Sequence, residues 1–410
     1  MNVKDTLIST LTNTDLWAAI VSTIGIIALG YILVKVKVFK QEWKGIMNSI
    51  VLKVALPALA LSGFMSNISI TQLKQQGVIL GIGFLFYIVF DVIALVWVKF
   101  FPKLLPKKFS KKSQLQFEQQ NGVIVDNNVS NEVLTHQEET DAKRGLVMWM
   151  MLIFGSTTFF GLPIIKELYP KDGVIAANLW NVPYRIFLYS LCFMVMAGLK
   201  FDKENIVKSC KTAFLNPIVI CTFIGIILWL TQLIPGASNF GKNFTIVSGT
   251  GGNGWFNWSV TMPYLYKPIN TIGGLSSPLV WLSIGITLAG TKLIDSVKDK
   301  WVWIFSMEKL ILVPLIIFLV MLGLVSSGIV SKEVAIPMII FAATPPATVV
   351  IAYSMQYKVC EKFSSQCSAL CTLLAIIFIP LWIIIGDVVF SAVAPTTAVQ
   401  QFSIANSLIV

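Results

Sequence analysis

Apolar residues occur along the chain in long runs that alternate with short polar segments. Each run is about as long as the stretch of roughly 20 residues that an α-helix needs to cross the hydrocarbon core of a membrane. The runs are apolar on all sides rather than striped, so they do not match the surface helices of a soluble protein. The pattern predicts an all-α membrane protein with ten transmembrane helices. The predicted spans are residues 16–37, 46–65, 77–100, 146–169, 174–199, 213–234, 268–291, 301–324, 334–357 and 366–390.

Helix-breaking residues recur at matching places in the two halves of the chain. Pro57 in the second span corresponds to Pro278 in the seventh. The Gly161-Leu162-Pro163 segment of the fourth span corresponds to Thr344-Pro345-Pro346 in the ninth. Because each half holds five spans, an odd number, the second half must enter the membrane in the opposite orientation. We therefore expect two inverted five-helix repeats with crossed, discontinuous helices four and nine, a layout found in many secondary transporters.

The same pattern divides the chain into four segments. Residues 1–101 hold helices one to three of the first repeat, and residues 146–211 hold helices four and five. Residues 212–410 form the second repeat, helices six to ten. The segment 102–145 between them begins basic, ends acidic and has almost no aromatic residues, so it cannot bury a core of its own. It is predicted to be a hydrophilic cytoplasmic loop.

Composition and charge narrow the class of protein. Of the residues, 56% are hydrophobic and only 12% are charged, which is too little polar surface for a soluble domain of this size. The net charge of +11 comes from lysines in short loops and not from a basic face interleaved with aromatics, so nucleic acid is excluded as a partner. Loops after odd-numbered spans hold 21 of the 31 lysines and arginines, and the opposite face holds 7. The bias predicts a multi-pass cell-membrane protein with both termini extracellular.

The broken helices are the predicted substrate site. A proline inside a spanning helix frees backbone amides and carbonyls, which persist at membrane depth only inside protein or beside a wet cavity. Two crossed half-helices would point their positive N-termini at the crossing, and an anionic group is the natural ligand there. The candidate substrate-binding residues at the two breaks are Ser156, Thr157, Thr158, Gly161, Pro163, Thr344, Pro345, Pro346 and Thr348.

A second polar feature lies on the fifth span. Asn178, Asn181, Arg185 and Tyr189 follow helical spacing and form one stripe on an otherwise apolar helix. We expect the stripe to face a cavity and assign Asn181 and Arg185 to substrate binding. Arg185 could neutralise a second carboxylate of the substrate, or it could pair with Asp91 on the third span.

Asp91 and Lys309 are ionisable residues in the middle of the third and eighth spans. Burial of either charge in the membrane is costly unless it is paired or hydrated. One interpretation is a structural ion pair between equivalent helices of the two repeats. The other is a coupling site for H⁺ or Na⁺, because proton coupling requires a carboxylate in a strongly perturbed environment.

The chain resembles the auxin efflux carrier family, which includes PIN-type carriers and bacterial malate-permease-like proteins. The resemblance rests on the fourth-span motif from Phe154 to Thr158 followed by Gly161-Leu162-Pro163, and on the segment Pro278 to Ala289. It extends to Lys309-Leu310 before Pro314, and to Pro345-Pro346-Ala347-Thr348 followed by Gln356-Tyr357.

The resemblance implies a ten-helix fold with crossed fourth and ninth helices and an organic-acid anion bound at the crossing. Ser156 and Val349 stand where the family commonly has asparagine, so auxin is not the expected substrate and malate is the default. By matched position the resemblance implicates Ser156, Thr157, Pro163, Pro345, Thr348 and, in a supporting polar cluster, Lys309.

Together these features predict a secondary active transporter of a small organic anion that works by elevator-like alternating access, with H⁺ or Na⁺ as the coupling ion. Two alternatives stay open: a cation/proton exchanger of the same fold, with Asp91 as the exchanging acid, and a membrane receptor that signals through residues 102–145. The spans contain no nucleophile–base pair or metal-ligand motif, so no enzyme activity, cofactor or metal is expected. The expected partners are the substrate, membrane lipid and, as one oligomeric option, a second copy in a homodimer.

Overall fold

The computed structural model describes residues 8–9, 11–12, 14–100, 145–199, 202–247, 252–290 and 296–394. Within these ranges the chain is helical, and the only β-type pairings are isolated bridges. Residue 145 is the one described residue of the predicted loop 102–145; the rest of that loop and the C-terminal residues after 394 lie outside the described ranges. The helices, in chain order, are α1 (Thr14–Lys35), α2 (Trp43–Ser62), α3 (Ile70–Phe100), α4 (145–153), α5 (157–168), α6 (Asp172–Met196), α7 (Lys203–Phe214), α8 (Pro217–Thr231), α9 (Pro263–Gly290), α10 (Lys300–Ser326), α11 (Lys332–Ala342), α12 (Thr348–Gln356) and α13 (Glu361–Val393).

Seven of the described helices are long and apolar enough to cross a membrane: α1, α2, α3, α6, α9, α10 and α13. The helix α8 is apolar but shorter, at 15 residues. The pairs α4/α5 and α11/α12 occupy the predicted fourth and ninth spans, each as two short helices joined by a non-helical segment. Single turns at Lys242–Phe244 and Trp258–Thr261 lie between α8 and α9. The prediction of an all-α membrane protein is therefore confirmed for the described residues.

The predicted sixth span, residues 213–234, divides into two elements. The chain leaves α7 at Phe214 and starts α8 at Pro217. Asn216 caps α8 by accepting a 3.0 Å hydrogen bond from the Ile218 amide, and Pro217 suits the first helical position because its missing N–H is not needed there. The predicted division between residues 211 and 212 falls inside α7 as a consequence.

Three prolines lie just after wide, π-helical turns instead of breaking their helices. The turns are Val51–Ala55, Thr157–Gly161 and Glu308–Leu312, and they precede Pro57, Pro163 and Pro314 respectively. Proline cannot supply the N–H that the preceding α-helical turn needs, and a π-turn absorbs that missing bond within a continuous helix.

The break in the fourth span therefore lies elsewhere than predicted. The sequence pattern places it at Gly161-Leu162-Pro163, but the non-helical residues are 154–156, between α4 and α5. Pro163 sits in the first turn of the helical segment Leu162–Leu168, where proline is well tolerated. In the ninth span the predicted and observed positions agree, because Pro345 and Pro346 both lie in the non-helical link between α11 and α12.

The two non-helical links cross and pair with each other through their backbones. The Ser156 amide donates to the Pro345 carbonyl at 2.7 Å, and the Ala347 amide donates to the Phe154 carbonyl at 2.9 Å. Gly155 and Pro346 form an antiparallel bridge between these two bonds. The pairing satisfies backbone groups that would otherwise be exposed to an apolar interior.

The crossing lies in the centre of the molecule. In α6 every residue from Gly173 to Arg185 is buried, and in α11 every residue from Val334 to Ala342 is buried. By contrast α1, α3, α8 and α10 expose large apolar side chains, such as Val21 at 64% and Leu319 at 57%. Apolar side chains on the outside and polar groups at the centre are the arrangement that a lipid environment favours.

Candidate functional site

Two helix N-termini converge at the crossing. The helix α5 begins at Thr157, directly after the link residue Ser156, and α12 begins at Thr348, directly after Ala347. The first amides of a helix have no acceptor within it, and the helix dipole adds partial positive charge at that end. No side-chain cap covers either end. Both ends are therefore suited to bind an anionic group.

A small cavity, partly open to solvent, lies against both N-termini. The cavity wall includes five residues that carry a hydroxyl group: Ser156, Thr158, Thr348, Tyr184 and Tyr189. Hydroxyls and free amides are the neutral donors that bind carboxylate oxygens. The full wall consists of Leu52, Ser156, Thr158, Phe159, Tyr184, Leu188, Tyr189, Ala347, Thr348 and Val349.

The helix α6 holds the crossing in place with two side-chain hydrogen bonds. The Thr157 hydroxyl donates to Oδ1 of Asn181 at 2.7 Å. The Tyr184 hydroxyl, one turn further along α6, donates to the Gly155 carbonyl at 2.8 Å. Thr157 and Asn181 therefore position the start of α5 and are not part of the cavity wall.

Glycine is required at two points where the broken helices meet. A side chain at Gly155 would place its Cβ 2.3 Å from Oγ1 of Thr344 and 3.2 Å from the Phe341 carbonyl oxygen. A Cβ at Gly161 would lie 2.5 Å from the Phe341 ring. Thr344 is itself tied to its own helix, since its hydroxyl donates to the Phe341 carbonyl at 2.7 Å. These residues shape the crossing and do not contact the cavity.

Lys309 lies on the opposite side of the crossing. Its ammonium group donates a 2.7 Å hydrogen bond to the Leu152 carbonyl, in the last turn of α4. Carbonyls at a helix C-terminus carry partial negative charge, so a buried cation there is electrostatically matched. Lys309 thus lies beside the crossing, and the supporting role that the family resemblance implies stays a prediction.

Arg185 does not reach the crossover cavity. Its Nη1 donates to the hydroxyl of Thr222 on α8 at 3.1 Å, and the side chain is 1% exposed. Within the described part of the chain, Nε and Nη2 have no hydrogen-bond partner. Arg185 is not part of the cavity wall because its side chain points to α8, and its role in substrate binding stays a prediction.

The two predicted ion pairs of Asp91 are not formed. Both carboxylate oxygens of Asp91 are buried and lack a hydrogen-bond partner among the described residues, while Lys309 bonds to Leu152 and Arg185 to Thr222. The physical reason is helix rotation: the three side chains leave their helices towards different neighbours. Asp91 lies in electrostatic range of Tyr87 and Cys192 instead.

Sequence reasoning missed the apolar and aromatic part of the wall, Leu52, Phe159, Tyr184 and Leu188. Tyr184 carried a usable signal, because it follows Asn181 by three residues on the same helix face. Leu52 had none, since its position depends on how α2 packs on the crossing.

Comparison with protein families gives a match over most of the chain. The model of a family described as membrane transport protein matches residues 133–383, more than half of the chain. No curated protein matches the chain. The matched range contains both broken helices and every residue of the cavity wall except Leu52. The chain belongs to this membrane transport protein family, which includes the PIN-type auxin efflux carriers and related permeases.

Proposed function

We propose that the protein is a secondary active transporter that binds the carboxylate of a small organic anion, malate being the default, at the crossover cavity. The observation that carries the proposal is the convergence of two uncapped helix N-termini on one hydroxyl-lined cavity inside an apolar helical bundle. Free amides and two helix dipoles whose positive ends meet at the cavity stabilise an anion without introducing a charged side chain. A neutral site of this kind can bind a carboxylate and still release it.

The ten helical spans and their two inverted repeats belong to the same proposal. In this proposal the seven long helices, the apolar helix α8 and the two broken pairs would together make ten crossings. Because five crossings per half reverse the orientation of the second half, the two half-helix N-termini approach the cavity from opposite directions. The lysine bias of the loops supports a cell-membrane orientation with both termini outside.

The proposed mechanism is elevator-like alternating access. In this proposal the broken helices and the helices packed on them carry the substrate, and α1, α2, α8 and α9 form the scaffold. Contacts across the boundary include the hydrogen bond from Arg185 to Thr222, and Asn178 lies against Gly63 directly after α2. In an elevator-like mechanism such contacts would be exchanged as one group of helices slides past the other.

The test is uptake of radiolabelled malate and related carboxylates into proteoliposomes. Thr348→Leu, which fills the N-terminus of α12 with an apolar side chain, should abolish uptake while the protein stays folded. Thr372→Val is the matched control, because the Thr372 hydroxyl only bonds its own helix, to the Ser368 carbonyl at 2.7 Å. Unchanged uptake in Thr348→Leu would remove the crossover cavity as the substrate site.

A second candidate function is supported by one separate observation, the unpaired buried carboxylate of Asp91. Such a group can take up and release a proton, so a cation/proton exchanger is the alternative, with Asp91 as the exchanging acid. In this case sodium-driven proton flux would occur in vesicles that contain no organic anion, and Asp91→Asn would stop it. If proton flux requires the carboxylate substrate, Asp91 is a coupling site of the transporter instead.

A further inference from the structure

We propose that Arg185 is the centre of a second anion-binding site, between α6 and α8, which takes a carboxylate group or a small inorganic anion such as chloride. The site adjoins the crossover cavity but is separate from it. Where the ligand is a second carboxylate of the substrate, the inference rests on the proposed transport function; where it is a free anion, it does not.

The first argument is the state of the guanidinium group. Arg185 is 1% exposed, yet only Nη1 has a partner, the neutral hydroxyl of Thr222. That hydroxyl is already committed as a donor to the Ile218 carbonyl at 2.7 Å, so it offers Arg185 an acceptor and no negative charge. Nε and Nη2 remain without a partner in the described residues. An uncompensated cation at this depth is expensive, and an anion that completes the site would relieve that cost.

The second argument is that the described part of the chain supplies no counter-ion. Asp91 is the buried carboxylate that the sequence offers, and it lies near Tyr87 and Cys192 instead. Lys332 and Asp387, at the N-terminus of α11 and near the C-terminus of α13, form an ion pair with each other and not with Arg185. The negative charge for Arg185 is therefore expected to come from a bound ligand.

The third argument is the geometry of the free donors. Nε and one terminal nitrogen of a guanidinium form a planar fork that matches the two oxygens of a carboxylate. Tyr189 follows Arg185 by one helical turn, lines the crossover cavity and lies within electrostatic range of the guanidinium. Tyr189 is therefore the wall shared by the two sites. A dicarboxylate could place one carboxylate at the helix N-termini and the other at Arg185.

The experiment is thermal unfolding of the purified full-length protein at constant ionic strength. Chloride is titrated against methanesulfonate, and succinate is compared with butyrate, which has the same number of carbons but one carboxylate. Two variants are compared with wild type. Arg185→Gln removes the charge, and Arg185→Lys retains the charge but lacks the planar pair of N–H donors. The matched control is Lys267→Gln, which removes an exposed positive charge at the start of α9.

A chloride-dependent rise in the unfolding midpoint that Arg185→Gln abolishes and Lys267→Gln retains assigns the site to a free anion. A rise with succinate that exceeds the rise with butyrate, that Arg185→Gln reduces to the butyrate level and that has no counterpart with chloride, assigns it to the second carboxylate of the substrate. In either case the apparent dissociation constant of the ligand should rise about tenfold or more in Arg185→Gln. If that variant does not fold, Arg185→Lys must show the weakened response. Ligand responses that are equal in wild type and both Arg185 variants would overturn the inference.

The crossover proposal fails separately. Thr348→Leu should remove the butyrate response and leave a chloride response at Arg185 intact. If the wild-type protein takes up carboxylate normally but shows no ligand response that depends on Arg185, only the second site is refuted. If Thr348→Leu still takes up carboxylate and the chloride response still depends on Arg185, only the crossover site is refuted.

Discussion

The ammonium group of Lys309 and the carbonyl oxygen of Leu152 lie 2.7 Å apart, which places a buried cation directly behind the crossing of the two broken helices. The positive charge thus faces the negative end of α4, while the positive ends of α5 and α12 face the cavity. All three contributions make the potential at the cavity more positive. Lys309 therefore acts on an anion that it does not touch.

Removing this charge should weaken substrate binding. The Coulomb energy between two unit charges across a protein interior with an effective dielectric constant near 20 is on the order of 1 kcal/mol, so Lys309→Met should raise the KM for carboxylate uptake about tenfold. Proteoliposome uptake measures the KM, and Lys267→Met, an exposed position, controls for loss of charge in general. An unchanged KM in folded Lys309→Met protein would mean that the cavity does not sense the charge.

The crossing should be intolerant of a single methyl group at Gly155. In Gly155→Ala the new Cβ would lie 2.3 Å from Oγ1 of Thr344, which forces the two links apart. Overpacking of this kind costs about 1–3 kcal/mol, and uptake should fall with it. Gly25→Ala is the matched control, because a Cβ at Gly25 meets nothing within 4 Å.

The same clash suggests a rescue. Thr344→Ala removes Oγ1 and leaves the Phe341 carbonyl, 3.2 Å from the new Cβ, as the closest remaining obstacle besides the flexible Lys309 side chain. The double variant should therefore recover part of the thermal stability that Gly155→Ala loses. No recovery would indicate that the backbone contact, and not the hydroxyl, makes glycine necessary at position 155.

Asp91 should be a residue that lowers stability. A buried carboxyl without a hydrogen-bond partner costs about 1–3 kcal/mol, and valine, an apolar side chain closer to aspartate in size than leucine, lacks that penalty. We expect Asp91→Val to raise the thermal unfolding midpoint and, if Asp91 couples transport to protons, to eliminate the stimulation of uptake by a pH gradient. A midpoint that falls would show that Asp91 has a stabilising partner in the folded protein. A gradient response that persists would remove Asp91 from the coupling step.

The sequence predicted the parts of the fold that depend on local chemistry. Long apolar runs predict spanning helices, and the Pro345-Pro346 pair predicts a break because two consecutive residues lack an N–H. Pro163 shows the limit of this reasoning. A single proline can sit at the start of a helical segment behind a π-turn, and the actual break at 154–156 depends on pairing with the other link.

Side-chain partners were less predictable than helices. The sequence places Asp91, Arg185 and Lys309 in the middle of spans, and all three are buried, but their pairing depends on how α3, α6 and α10 rotate about their axes. That rotation is set by packing over the whole bundle, which a single helical stripe does not encode. The hydroxyl residues of the cavity wall were easier to predict than these pairings. Ser156, Thr158 and Thr348 lie in sequence at the starts of α5 and α12, next to the free backbone amides of those helices.

The hydrogen bond from Thr157 to Asn181 should matter for transport more than for folding. Thr157→Val keeps the shape of the side chain but leaves Oδ1 of Asn181 without its 2.7 Å donor, which costs about 1–3 kcal/mol. Because the bond positions the first residue of α5, its loss should misalign the amides that face the substrate, so maximal uptake falls although the protein remains folded. Thr157→Ser retains the hydroxyl and should recover most of the uptake, whereas Thr372→Val should have no effect. If Thr157→Val lowers the unfolding midpoint but transports like wild type, the bond is structural only, and the alignment of α5 does not depend on it.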